Sequence, residues 1–413
     1  MVLHALGQTD GYRKVLFLGN SYTYVNDLPA LVRSLAASAG DTLDADSNSP
    51  GGYTLEMHST NSTSLSKITQ GNWDFVILQE QSQLPSFPLT QVLADCFPYA
   101  HKLDSIINAC NICGETMFFM TWGRKNGDAS NCAAWPPVCT YHGMDSLLRL
   151  RYIMLADTNE AVLSPVGAVW HYIRDHYPNI ELYSADESHP SAAGTYAAAC
   201  SFYSAIFRKD PLNITQNYSL GTIDAAAIRL AAKLVVFDSL IYWNIGNYDP
   251  QASFNYNILP GLLVDFESTS QYATHYYWDF GDGSISYSPV VTHQYTGPGN
   301  YNVKLIVSHC GRFDSTMSAI MVAEVGIRET ECFENLYALY PNPAGNTLCI
   351  NKTIDDKSQS IIQIMNSYGN ILTACSTADK TIQLNISYLP SGIYFIKINS
   401  DKAGIFNQKL IKY

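Results

Sequence analysis

Basic charge is scarce in this sequence. Its 413 residues hold 24 Lys and Arg against 36 Asp and Glu, a net charge of −12. No basic cluster marks the surface that phosphate backbones require, so a nucleic-acid partner is excluded. Long apolar runs are missing too: none approaches the roughly 20 residues that cross a bilayer, and no transmembrane segment is expected. Metal-ligand spacing is absent. His58, His101, His142, His171 and His176 are scattered, with no H-x-x-x-H or H-E-x-x-H, whereas zinc hydrolysis needs three or four converging ligands. No metal and no cofactor is expected. The segment Met1–Gly11 lacks a basic region followed by a complete apolar stretch, so it does not read as a secretory signal.

Charged residues make up 15% and hydrophobic ones 47% of the chain, which describes a globular protein able to bury a core. The length implies two or three domains. Ten cysteines are too few for a dense disulfide framework. Cys110 and Cys113 form a single C-x-x-C, readable as two half-buried thiols or as a redox or disulfide pair. Cys132 and Cys139 bracket a loop that a disulfide can staple, and Cys310 with Cys332 is a further pairing.

Three textures follow one another. Up to about Tyr248, apolar runs alternate with helical spacing. Strands are expected at Lys14–Leu18, Trp73–Leu78, Thr116–Thr121 and Ala161–Val166, and a helix at Leu28–Ser38. Alternating strand and helix predict an α/β domain with a parallel sheet, whose ligands bind beyond the carboxyl ends of the strands. From about Asn255 the pattern changes to short β runs with turn signals, interrupted by a charged linker at 325–335.

The chemistry is sought at those strand ends. The first strand runs into Gly19-Asn20-Ser21-Tyr22-Thr23, and Asp27 with Pro29 opens the next helix. A serine between strand end and helix start is exposed at the active edge beside free N–H groups, although alone it reads more readily as a turn or capping residue. At the far end of the domain stands Asp186-Glu187-Ser188-His189-Pro190. The D-x-x-H spacing lets one loop present an imidazole and the carboxylate that orients it.

These two segments resemble the first and last blocks of SGNH/GDSL hydrolases, over roughly residues 12 to 248. The resemblance implies a flavodoxin-like catalytic domain in which Ser21 is the nucleophile, His189 the base and Asp186 its orienting acid. Ser49-Pro50-Gly51-Gly52-Tyr53 resembles the second block, which makes Gly52, with Gly51 next, the backbone oxyanion donor. The third block departs from the usual Gly-x-Asn-Asp: the strand leads into Leu78-Gln79-Glu80-Gln81-Ser82. This resembles the branch that includes carbohydrate acetylesterase-like members. Gln79, with Gln81 in reserve, is then the side-chain oxyanion donor. Trp122, at another strand end before the Cys132–Cys139 loop, is expected to touch substrate, Trp170 to lie in the core, and Glu80 and Glu187 to face solvent.

Trp278-Asp279-Phe280-Gly281-Asp282-Gly283 resembles the signature of PKD domains, over about 255–324. That implies an Ig-like β-sandwich; Asp279 and Asp282 in its turn could ligate calcium, but turn carboxylates are ordinarily solvated, and that is the expectation. Leu339-Tyr340-Pro341-Asn342-Pro343 and the tail from Leu389 to Tyr413 resemble the type IX secretion C-terminal sorting domain of Bacteroidota, a second β-sandwich over 336–413. The secretion machinery is thus an expected partner, and the location secreted or on the cell surface. Because such precursors begin with a signal, the chain reads as an incomplete one. The activity implied is removal of acetyl or another small acyl group from a polysaccharide, glycan or small ester. A lipase or thioesterase on longer chains, and a non-catalytic surface adhesin, remain the alternatives.

Overall fold

A computed structural model describes residues 11–323, 337–353, 358–400 and 404–413, so the expected linker at 325–335 lies outside them. Two compact units are present, Met1–Val325 and Gly326–Tyr413.

The first unit opens with a parallel sheet of β1 (Tyr12–Leu18), β2 (Thr42–Asn48), β3 (Phe75–Leu78), β4 (Glu115–Phe119) and β5 (Val162–Ser164), in the order 2-1-3-4-5. That is the flavodoxin-like order. Val15, Leu16, Phe17 and Leu18 are all buried. Consecutive burial, without alternation, means that both faces of this central strand are covered. The helix Ala192–Phe207, rich in Ala and almost wholly buried, packs against Leu28–Ser38 and Thr222–Val235. The four expected strands are present with shifted bounds: β1 starts two residues earlier, and the other three end or begin short of their expected ranges. Pro165, for example, caps the helix Val166–His176 and stops β5 early. The edge strand β2 was not foreseen. Its sequence, Thr-Leu-Asp-Ala-Asp-Ser-Asn, buries only Leu43 and has no apolar signal to read.

Next come β6 (Phe254–Leu259), β7 (Leu263–Ser268), β8 (His275–Asp279), β9 (Ile285–Ser286), β10 (Val290–Gln294), β11 (Gly299–His309) and β12 (Arg312–Val322). They form sheets of order 10-7-6 and 12-11-8-9, closed on a core that includes Phe266, Trp278, Phe280 and Leu305. Gly281 has φ +79, and a Cβ there would meet the Asn302 carbonyl oxygen at 2.7 Å. The turn therefore demands glycine. Its carboxylates serve the fold: Asp279 accepts from the Gly281 N–H at 3.0 Å, and Asp282 pairs with His293 Nε2 at 2.8 Å.

This sandwich is fastened to the parallel sheet at the edge where β4 begins. Cys113, just before β4, is disulfide-bonded to Cys310 in the turn between β11 and β12. Neither partner was paired so from sequence; Cys110 is a free thiol, and Cys332 lies outside the described residues. The second disulfide, Cys132–Cys139, matches the expectation. Beside the first, the half-buried Arg312 bridges Glu115 and Asp249, and Arg208 also holds Asp249. Burial works against the charge on Arg312, but Glu115 and Asp249 outweigh it and hold the guanidinium above its ordinary pKa.

The second unit, taken by itself, is a sandwich of β13 (Tyr337–Tyr340), β14 (Thr347–Lys352), β15 (Ser360–Met365), β16 (Ile371–Thr377), β17 (Thr381–Asn385), β18 (Gly392–Ser400) and β19 (Gly404–Lys412). Its sheets run 13-14-17 and 16-15-18-19 over a core of Leu348, Ile350, Ile364 and Ile396.

Candidate active site

Ser21 is the first residue of a single helical turn, Ser21–Tyr24, that begins where β1 ends. The Asn20 side chain caps this turn by accepting from the Tyr22 N–H at 3.2 Å. Gly19 is dictated by crowding: a Cβ there would lie 2.4 Å from Thr23 Oγ1 and 2.6 Å from Gln79 Oε1. The chain can therefore turn sharply and present the serine at the carboxyl edge of the sheet.

Across this edge, His189 Nε2 lies 2.8 Å from Ser21 Oγ. His189 Nδ1 pairs with Asp186, whose other oxygen accepts from the Ser188 and His189 N–H groups at 3.1 and 3.0 Å. Partial burial would raise the Asp186 pKa, but these hydrogen bonds outweigh it and hold the carboxyl below its ordinary value. A carboxylate beside Nδ1 fixes the proton there, leaving the Nε2 lone pair for the serine hydroxyl. Ser21, His189 and Asp186, 168 residues apart in sequence at the widest, thus form one continuous line. His189 keeps 34% and Asp186 50% of its side chain exposed.

Gly52 sits in the turn Pro50–Tyr53 with φ +74 and open space where a Cβ would stand. That turn is docked beside the serine, because Asn20 Nδ2 donates to the Tyr53 carbonyl at 2.9 Å. The N–H groups of Ser21 and Gly52 donate to no acceptor among the described residues.

Gln79 does not have the role expected of it. It is wholly buried behind the nucleophile turn, with Nε2 donating to Asn20 Oδ1 and to the Glu80 carbonyl, both at 2.7 Å. Its Oε1 accepts from the Asn20 N–H at 2.9 Å and from Thr23 Oγ1 at 2.8 Å. Both amide hydrogens are occupied, so none is left for an oxyanion. The reason is register: the Gln79 N–H still bonds the Leu18 carbonyl, continuing the sheet, and its side chain is taken up by Asn20 and Thr23 just beyond β1. The reserve candidate, Gln81, is held locally: its Oε1 accepts from the Gln83 and Leu84 N–H groups, and its Nε2 donates to Gln83 Oε1 at 3.2 Å.

Trp122 is likewise not a substrate contact. Fully buried, it is stacked between Tyr22 and Trp170, with ring centroids 4.6 and 3.8 Å away. Its Nε1 donates to the Ser188 carbonyl at 3.1 Å, and the Tyr22 hydroxyl is 2.7 Å from Ser188 Oγ. The Tyr22 ring in turn meets the His189 ring edge to face at 5.4 Å. Trp122 therefore supports the loop that carries the histidine, while Trp170 lies in the core as expected. The loop after β4 grips the same segment, since Lys125 N–H donates to the Glu187 carbonyl at 2.9 Å and Asn126 to its carboxylate at 2.8 Å. Farther along, the Trp135 indole is tied to the Ser86 carbonyl at 3.0 Å.

Glu187 is exposed as expected, but Glu80 is the reverse of its expectation. It is completely buried, and burial pushes its carboxyl up to about 7. Asn20 and Glu80 are the residues that sequence reasoning missed. The available signal was their position, immediately beside Ser21 and just after the second central strand.

Residues 338–413 match the secretion system C-terminal sorting domain family, and residues 247–322 match the PKD domain family. Among solved structures the chain is similar to a DUF4886 family protein from Bacteroides uniformis, at 18% identity over 56% of this chain and 95% of that one, with a TM-score of 0.49. It is also similar to a candidate SGNH hydrolase from Slackia heliotrinireducens, at 24% identity over 46% and 97%, TM-score 0.38. The PKD1 domain of the Vibrio cholerae metalloprotease PrtV is 34% identical over 18% of this chain and 96% of that domain, TM-score 0.17. No match was found among curated proteins. The second and third parts of the chain therefore belong to the PKD and sorting-domain families. The sorting domain makes this a secreted or cell-surface protein handled by type IX secretion, and no helix among the described residues is long and apolar enough to cross a membrane.

Proposed function

We propose that residues 12–248 are a serine ester hydrolase. The observation that carries this reading is the unbroken line from Ser21 Oγ through His189 to Asp186 at the carboxyl edge of the sheet. In the first half-reaction Ser21 Oγ attacks the acyl carbon while His189 Nε2 takes its proton. The N–H groups of Ser21 and Gly52 hold the oxyanion, and the imidazolium then protonates the departing alcohol oxygen. Water, deprotonated by His189, cleaves the acyl-enzyme by the same path and returns the proton to Ser21. With Gln79 withdrawn, the oxyanion site consists of two backbone donors.

The substrate proposed is an acetyl or other small acyl ester on a polysaccharide or glycan. Support comes from the half-exposed His189 and Asp186, which a bulky substrate can approach, and from the export of the protein. Turnover of p-nitrophenyl acetate by the wild type, a loss on the order of 10⁴-fold or more in Ser21→Ala, and fluorophosphonate labelling at Ser21 are the expected results. Equal inactivity of both proteins with no labelling sinks the enzyme reading and leaves an adhesin. An acyl-chain-length series that rises toward long chains replaces acetyl by a lipid-like substrate.

A further inference from the structure

Two buried polar side chains behind the serine are used by neither the attack nor the proton transfer. Glu80 follows Gln79 at the end of β3, and every part of it faces another strand-end loop. Its carboxyl accepts from the Leu55 N–H at 3.3 and 3.2 Å and from the Gln81 N–H. Leu55 opens the helical turn that follows the Pro50–Tyr53 turn directly. The Glu80 carbonyl accepts from Asn20 Nδ2 at 3.4 Å and from Gln79 Nε2. Asn20 reaches the same turn from the other side, through its bond to the Tyr53 carbonyl. The loops that end β1, β2 and β3 are thus tied to one another through two side chains.

The nucleophile turn is also held from below. The His58 ring is buried, with Nε2 2.8 Å from the Gly19 carbonyl and Nδ1 2.8 Å from Ser64 Oγ. A carbonyl can only accept, so Nε2 carries the proton and donates to Gly19. Because His58 belongs to the turn that Leu55 opens, the chain directly after Gly52 is fixed at two points: to Asn20 at Tyr53, and to Glu80 and Gly19 at 55–58. The titratable groups that act on Glu80 include the buried Cys96 thiol, the buried Tyr152 hydroxyl and, at longer range, Glu56; none of these offers a positive charge. A buried carboxyl with no cationic partner is costly, and such a group is retained where its acceptors are needed for geometry.

We propose that Glu80 and Asn20 are positioning residues that hold the Pro50–Tyr53 turn, and with it the Gly52 N–H, in register with the Ser21 hydroxyl. This rests on the reading of Ser21 as a nucleophile and adds to it the device that aligns the two halves of the oxyanion site. An oxyanion donor must lie within hydrogen-bond reach of an atom that exists only in the transition state, so a small displacement of the turn is felt in kcat and hardly in KM.

The test measures p-nitrophenyl acetate kinetics and amide hydrogen exchange on full-length wild type, Glu80→Ala, Glu80→Gln and Asn20→Ala. Glu80→Ala is expected to lower kcat by about 100-fold, the scale of one lost oxyanion donor, with KM within a few-fold. Exchange should rise in peptides covering 50–58 and stay unchanged in β4 and β5. Glu80→Gln keeps an acceptor oxygen and should recover most of the rate, while Asn20→Ala, which loosens the turn from the opposite side, should reproduce the loss. Unchanged kcat with unchanged exchange at 50–58 overturns the proposal. So does exchange that rises evenly across the whole sheet, the mark of a general core defect. If the wild type hydrolyses no ester, the hydrolase reading fails, and local exchange at 50–58 still decides whether Glu80 and Asn20 fix the turn.

Discussion

Replacing Cys113 and Cys310 together by serine removes the covalent link between the sheet domain and the PKD sandwich. The bond closes a sequence separation of 197 residues. By loop-closure entropy, cross-linking a chain segment of that length disfavours the unfolded ensemble by about 5 kcal/mol at 25 °C. The Cys132–Cys139 bond closes a separation of 7 and contributes only about 2 kcal/mol on the same basis. A reductant breaks both bonds at once, so the paired substitution is the cleaner perturbation. Arg312, held by Glu115 and Asp249, keeps the two domains in contact after the substitution, and the effect therefore falls mainly on the unfolded chain. Thermal unfolding of the first unit should drop by on the order of 10 °C, and residual esterase activity at 25 °C should stay near that of the wild type, because the bond lies at the start of β4, away from the serine. Peptide mapping of the unreduced wild type should recover Cys113 joined to Cys310, with Cys96, Cys110 and Cys200 open to alkylation once the chain is unfolded. An unchanged melting temperature, or a map in which Cys113 is free, refutes the reasoning.

Glu80 gives a pH signature that is independent of catalysis. Its folded pKa, pushed up to about 7 by burial, stands above the ordinary 4.5. Between these values the unfolded chain releases the proton while the folded one keeps it, so stability falls as pH rises from about 4.5 to 7 and is level beyond. The full span is worth about 3 kcal/mol, and Glu80→Gln should flatten that slope in urea titrations at pH 5 and 8. A slope equal to that of the wild type would exclude Glu80 as its source. Trp122→Leu removes both ring stacks and the bond to the Ser188 carbonyl; a stability loss of about 3 kcal/mol is expected, with a lower kcat and an altered pH profile of kcat/KM as the His189 loop loosens. Trp122→Phe keeps the stacking and should restore most of the stability. A rise confined to KM would return Trp122 to substrate contact.

Much of the fold was legible because the signal is local. Central strands buried on both faces show as unbroken apolar runs, as in Val15–Leu18, and the helix Leu28–Ser38 announces itself through Asp27, Pro29 and its apolar spacing. Trp278 and Phe280 are similarly readable, because a Gly-Asp-Gly turn beside alternating aromatics has few other solutions. The edge strand β2 was not legible: it buries only Leu43 among polar residues, and its pairing with β1 exists only in three dimensions.

The candidate site divides along the same line. Sequence alone determined that Ser21 stands at a strand end and that Asp186 and His189 share one loop, since those relations span three residues or fewer. It could not determine where side-chain donors point. Gln79 and Trp122 have the right chemistry at the right strand ends, yet one is taken up by Asn20 beyond the neighbouring strand and the other turns inward between Tyr22 and Trp170. Only the tertiary structure decided that the Gln79 amide is taken up by Asn20 and the Glu80 carbonyl, that Glu80 is buried, and that Cys113 meets Cys310. A side chain's direction, and the partner it finds, depend on neighbours that folding brings from distant parts of the chain, and spacing along one strand does not encode them.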